Sequence, residues 1–81
     1  LTRQEVLHGL MQLYNNFSTH DINKLNVKNG DVIKGLGVND YCRQSILAGL
    51  ELELIGIQDV KNPNSLITPN EMLDLIYRII G

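Results

Sequence analysis

The chain has 81 residues, of which 43% are hydrophobic and 20% are charged, and its seven basic and nine acidic residues leave a net charge of −2. This composition is typical of one folded domain spanning residues 1–81 and excludes a disordered chain, while the short length argues against a deep catalytic cavity. The basic residues do not cluster as a nucleic-acid interface requires, so we expect neither nucleic-acid binding nor enzymatic activity.

The single cysteine and the absence of long apolar runs bear on the compartment. Cys42 has no partner for an intramolecular disulfide, so we expect a reducing, cytoplasmic environment. No stretch approaches the roughly 18 apolar residues of a membrane span, and the first residues lack a signal-peptide pattern. The chain opens on Leu1 instead of Met, and excision from a longer protein stays open.

The first predicted element is a helix that begins after Thr2. Thr2-Arg3-Gln4-Glu5 is a capping box, in which the Thr oxygen and the Glu carboxylate satisfy free amides of the first turn. Apolar residues then recur at three- and four-residue spacing until Asn15 or Phe17, where we expect the helix to end. They predict its buried face and comprise Val6, Leu7, Leu10, Met11, Leu13, Tyr14 and Phe17.

Residues 18–37 form a long connection after this helix. Polar turn-forming residues interrupt the apolar periodicity here, together with Gly30, Gly35 and Gly37. A connection of about 20 residues is uncommon in a small domain unless it has a function or short turns of its own. We expect Ile33 and Leu36 to anchor it to the core.

Two further long helices are predicted, and together with the first they indicate an all-α fold. Asn39 or Asp40 is suited to cap the second helix, which we expect to run to Leu54 or Ile55 and to end at Gly56. The segment 57–67 has room for one helical turn. Thr68-Pro69-Asn70-Glu71 then starts the last helix. The predicted buried residues are Cys42, Ile46, Leu47, Leu50 and Leu54 in the second helix, and Met72, Leu73, Leu75, Ile76, Ile79 and Ile80 in the last.

The order of these elements and several short motifs resemble the acyl carrier and peptidyl carrier proteins. The likeness extends over nearly the whole chain and rests on the order and spacing of the motifs. It implies an acyl-carrier-like bundle of three long helices, a short helix in third position and a long first loop. The motifs are Leu36-Gly37 after an apolar anchor, Leu50-Glu51-Leu52-Glu53-Leu54, Gly56-Ile57 and Thr68-Pro69.

One position departs from the family pattern. Counting from Leu36-Gly37, the resemblance places Asp40 where the family has the serine that carries phosphopantetheine, the flexible thiol arm of carrier proteins. A carboxylate has no hydroxyl that could form the phosphodiester, so we expect no arm at Asp40 and no other cofactor. Asp40 is instead suited to cap the second helix, because the helix dipole favours its charge.

The resemblance implies a module, expected to be monomeric, that docks to a partner enzyme of fatty-acid, polyketide or nonribosomal-peptide-type biosynthesis. Its second helix is less acidic than that of fatty-acid carriers, which predicts weaker charge steering and a specialised partner. Tyr41 and Ile46 fit either an exposed docking patch or the core. The residues that we expect to contact the partner are Asn39, Asp40, Tyr41, Arg43, Gln44, Leu47 and Glu51.

The other residues that could act as a nucleophile, an attachment site or a metal ligand are less well placed in the sequence. Cys42 has the spacing of a buried apolar residue, and Ser45 and Ser65 are poorly placed as attachment sites. His8, His20 and Asp21 lack a third ligand at diagnostic spacing, so we expect no metal site. Two further interpretations stay open: an active carrier with a substituted or differently placed attachment site, and a small helical adaptor unrelated to carriers.

Overall fold

The computed structural model describes residues 1–81 and contains four α-helices, which we number α1 to α4. They span Arg3–Phe17, Asp40–Glu51, Ile57–Val60 and Pro69–Ile79. Two short 3₁₀ turns, Ile22–Lys24 and Gly30–Ile33, lie in the long connection between α1 and α2. The only β-type pairing is an isolated antiparallel bridge between Thr2 and Leu66. The predicted all-α class is therefore confirmed.

Helix α1 starts and ends where the sequence predicts. Thr2 Oγ1 accepts a hydrogen bond from the Glu5 amide, and the Glu5 carboxylate accepts one from the Thr2 amide at 2.8 Å, which completes the capping box. These bonds from Thr2 also lower the pKa of Glu5. The predicted buried face was too wide, however, because Leu13 and Phe17 are 43% and 74% exposed. α1 packs on α2 and α4, and these neighbours cover only part of its apolar stripe.

Helix α2 ends earlier than the sequence predicts. Its last helical residue is Glu51, not Leu54 or Ile55, and Glu53 adopts a left-handed backbone with φ of 60°. The Glu53 amide bonds to the Leu50 carbonyl at 3.1 Å, and the Leu54 amide bonds to the Gly49 carbonyl at 2.9 Å. This pair of bonds is a Schellman motif, which normally uses glycine at the left-handed position. The prediction that Gly56 stops the helix was therefore wrong.

Helices α3 and α4 complete the bundle. α3 is the single helical turn expected in the segment 57–67, and α4 begins with the predicted Thr68 capping box and Pro69 in its first turn. Leu75 and Ile79 of α4 are buried, but Leu73 is 65% exposed and Ile76 38%, contrary to the predicted core. Since α4 packs mainly on α1, only one narrow face of it is covered.

A single hydrophobic core joins the helices to the long connection. Ile33 is buried and Leu36 is partly buried against the core, as predicted, and Ile22 provides a further buried anchor. None of the helices combines the length and the hydropathy that a membrane span requires. The buried apolar residues are Val6, Leu7, Met11, Ile22, Ile33, Cys42, Ile46, Leu47, Ala48, Ile55, Val60, Leu75 and Ile79.

Candidate docking surface at the start of the second helix

Asp40 lies at the point where the long connection meets α2. It is the first helical residue, it is exposed, and Asn39 before it is the N-cap residue. Neither of the two side chains caps the helix: the Asn39 side chain makes no cap hydrogen bond, and Asp40 lies one position beyond the cap. The expectation that Asp40 caps α2 was therefore wrong. Its carboxylate is free to face solvent or a partner at the positive end of the helix dipole.

The chain reaches this position through two glycines in left-handed conformations. Gly35 has φ of 81° and Gly37 has φ of 86°, a region in which a side chain would be strained. The Leu36 amide between them bonds to the Ile33 carbonyl at 3.2 Å, so the segment leaves the second 3₁₀ turn directly. The glycines thus allow the connection to fold back tightly before α2 begins.

The seven residues predicted to contact a partner differ in accessibility. Asn39, Asp40, Tyr41, Arg43 and Glu51 are exposed, and Tyr41 is 57% exposed. Gln44 is half-buried, and its side-chain amide donates to the carbonyls of Ile22 and Leu25, both at 2.9 Å. Leu47 is buried in the core. The accessible part of the candidate surface is therefore the first turn of α2 together with Glu51.

Tyr41 contacts α1 through the side chain of His8. The two rings meet edge to face, with centroids 5.5 Å apart and an angle of 84° between their planes. His8 Nδ1 lies 2.8 Å from Ser45 Oγ, which also accepts a hydrogen bond from Gln12 Nε2 at 2.8 Å. This arrangement leaves Tyr41 on the surface while Ile46 is fully buried, so only the first belongs to an exposed patch.

The polar contacts around Ser45 were missed in the sequence. Ser45 is 1% exposed and follows the buried Cys42 by three residues, a spacing that puts both on the same helix face. That spacing was the available signal. The spacing could not reveal that Ser45 contacts His8 and Gln12, because both lie on α1, more than 30 residues away in the chain.

A groove of about 330 Å³ opens beside α2 and was also missed. Its apolar walls come from the long connection, α2 and α3, and Lys28 and Glu51 place opposite charges at its rim. The isolated apolar residues of the connection were the only sequence signal for this groove. They could not reveal that the connection packs beside α2 and α3, because contacts between segments this distant in the chain leave no local sequence pattern. The groove is lined by Val27, Lys28, Asn29, Val32, Leu47, Leu50, Glu51 and Ile57.

The alternative reactive groups lie in structural positions. Cys42 is fully buried, and this burial raises the pKa of its thiol, which opposes reactivity. Ser65 Oγ donates to the Asn62 carbonyl at 2.8 Å within a turn. His20 is exposed, and Asp21 accepts the Asn23 amide at the start of the first 3₁₀ turn. No three metal-binding side chains converge in the structure.

The chain was compared with known proteins by sequence and by structure. A scan against models of protein families, a search of the curated proteins and a search of the solved structures found no significant match.

Proposed function

We propose that this chain is an acyl-carrier-like, non-catalytic module that docks to a partner enzyme of fatty-acid, polyketide or nonribosomal-peptide-type biosynthesis. It acts as a cytoplasmic monomer and carries no phosphopantetheine, because Asp40 stands at the attachment position. The observation that carries the proposal is the place of Asp40, exposed at the first residue of α2 directly after the long connection.

The structure around Asp40 supports a protein-binding surface more than a site of catalysis or covalent attachment. Tyr41 and Arg43 are exposed beside it, and Arg43 Nη2 donates to the Gly30 carbonyl at 3.4 Å, which links α2 to the connection. The surface therefore offers an aromatic ring and a cation, residue types that are enriched in protein interfaces. The only serine or threonine hydroxyl on α2, that of Ser45, is enclosed in the core.

The ordered connection favours this proposal over an unrelated helical adaptor. Two 3₁₀ turns, the buried Ile22 and Ile33, and the bonds from Gln44 hold residues 18–39 against the bundle. A simple bundle of packed helices has no need of such a segment, whereas a carrier-like module uses it to present the start of its second helix.

Restoring the missing hydroxyl tests the attachment position. We expect D40S to gain one phosphopantetheine from coenzyme A and a broad-specificity phosphopantetheinyl transferase, measured by intact mass, while the unmodified chain gains none. D31S places a serine on another exposed part of the connection and serves as the control, expected to gain none. A folded D40S that stays unmodified would contradict the carrier-like proposal, and loading of the unmodified chain would identify an active carrier instead.

Competition tests docking without loading. The unmodified chain should inhibit loading of D40S by occupying the transferase, and Y41A and R43E should weaken that inhibition. Phe17 is 74% exposed at the far end of α1, so F17A is a matched control that should inhibit like the unmodified chain. Equal inhibition by all four proteins would argue against docking through α2.

A further inference from the structure

Gln4 connects three separate segments at the base of the candidate surface. Its side chain is completely buried, although it lies in the first turn of α1. Its Oε1 accepts the Asn39 amide at 2.8 Å, and its Nε2 donates to Asn64 Oδ1 at 2.6 Å and to the Gly37 carbonyl at 3.4 Å. One side chain therefore joins α1, the end of the long connection and the turn before α4.

The backbone around Gln4 fixes the position of this amide. The Gln4 amide donates to the Pro63 carbonyl at 2.9 Å, and the Arg3 amide donates to the Ser65 carbonyl at 2.8 Å. The turn that carries Asn64 is thus bound to the start of α1 by main-chain bonds as well. The Gln4 side chain has little freedom to move, and no buried side-chain polar atom in the structure lacks a partner.

The Asn39 amide is the part of this cluster that bears on function. It belongs to the N-cap residue of α2, next to Asp40, and no side chain of the helix itself caps this end. Gln4 therefore supplies, from α1, a fixed acceptor at the start of α2. The Cys42 amide bonds back to the Asn39 carbonyl at 3.0 Å, so the first turn of α2 is built on the residue that Gln4 holds.

We infer that Gln4 is the positioning residue of the candidate surface: it holds Asn39 so that Asp40 and Tyr41 are presented in one fixed orientation. The inference rests on the proposed function for its consequence, but the positioning itself is measurable without it. A glutamine serves here because its amide provides an acceptor for Asn39 and donors for Asn64 and Gly37 at the same time.

Amide hydrogen exchange followed by NMR tests the positioning. Q4L removes all three hydrogen bonds at similar volume and should speed exchange of the Asn39 amide by about tenfold or more relative to amides in the middle of α4. Val60 is fully buried on α3 and takes part in none of these hydrogen bonds, so V60A is the control for lost stability. V60A should leave the ratio between Asn39 and α4 unchanged. N64A alters an exposed residue and should loosen the same amide by a smaller factor, which keeps the test decisive if Q4L does not fold.

Loading kinetics test the consequence. In the D40S background, Q4L should lower kcat/KM for phosphopantetheine transfer by about tenfold, whereas V60A should not. The reason is that only Q4L displaces position 40, the residue that receives phosphopantetheine. Unchanged exchange at Asn39 in both Q4L and N64A would overturn the inference, and so would changed exchange with unchanged loading. If D40S itself is not loaded, the proposed function fails while the exchange experiment still decides the role of Gln4 in holding Asn39.

Discussion

Single residues with unusual backbone or burial explain much of how this small domain is shaped. Glu53 is the clearest case, since it closes the Schellman motif of α2 with φ of 60° and so turns the chain from α2 toward α3. A residue with a β-carbon is strained in this conformation, and glycine is not. The strain at Glu53 is offset because the turn places Ile55 in the hydrophobic core.

We expect E53G to raise the free energy of unfolding by about 0.5 to 1 kcal/mol, because glycine removes the left-handed strain. The measurement is equilibrium unfolding in urea. E53A removes the charge but keeps the β-carbon, and it should bring no comparable gain. A stabilisation of E53A equal to that of E53G would mean that charge, and not backbone conformation, sets the effect.

At the level of elements, the helix starts are set by short local motifs. α1 and α4 each begin with a Thr-Glu capping box, and α4 adds Pro69 at its first helical position. The Glu71 carboxylate also pairs with Arg3, and the bonds from Arg3 and then from Thr68 lower its pKa. The start of α4 is therefore tied both to its own cap and to α1.

We expect T68A to lower the free energy of unfolding by about 1 kcal/mol, because the Glu71 amide loses its acceptor at 3.2 Å. Thermal and urea unfolding check the value. Thr19 is exposed and caps no helix, so T19A should change stability by less than about 0.5 kcal/mol. A T68A variant as stable as T19A would show that the cap contributes nothing measurable.

At the scale of the whole molecule, an ion-pair network holds α3 against α4. Arg78 donates to both oxygens of Asp59 at 2.8 Å and to Asp74 at 3.1 Å. Asp59 also accepts the Gly56 amide at 2.8 Å, which fixes the start of α3. Hydrogen bonding to Arg78, the main cause, and to the Gly56 amide lowers the pKa of Asp59 below its usual value.

A lowered pKa in the folded state has a definite consequence for stability in acid. The folded protein binds fewer protons than the unfolded chain, so the stabilisation is fully present above the ordinary Asp value of 3.8 and is lost as the pH falls through the lower folded value. Glu5 and Glu71, whose pKa values are also lowered, act in the same direction.

We expect D59N to lower the free energy of unfolding by about 1 kcal/mol at neutral pH and to flatten the acid limb of stability measured against pH. An acid limb of unchanged steepness in D59N would exclude Asp59 as a contributor.

The sequence alone determined the all-α class, the starts of α1 and α4, and the placement of Asp40 beside the long connection. These features depend on neighbours within about four residues, since capping boxes, a first-turn proline and apolar periodicity are local. Periodicity could not tell how much of each apolar stripe would be covered, which is why Leu13, Leu73 and Ile76 were wrongly placed in the core.

Only the tertiary structure decided the rest. The end of α2 depended on a left-handed glutamate that no glycine signalled, and the groove beside α2 joins segments distant in the chain. Gln4 shares a face with Leu7 and Met11, a spacing that hinted at its burial, but its partners Asn39 and Asn64 lie 35 and 60 residues away. A buried amide is satisfied by whatever the fold brings to it, and that pairing is a property of the packed molecule.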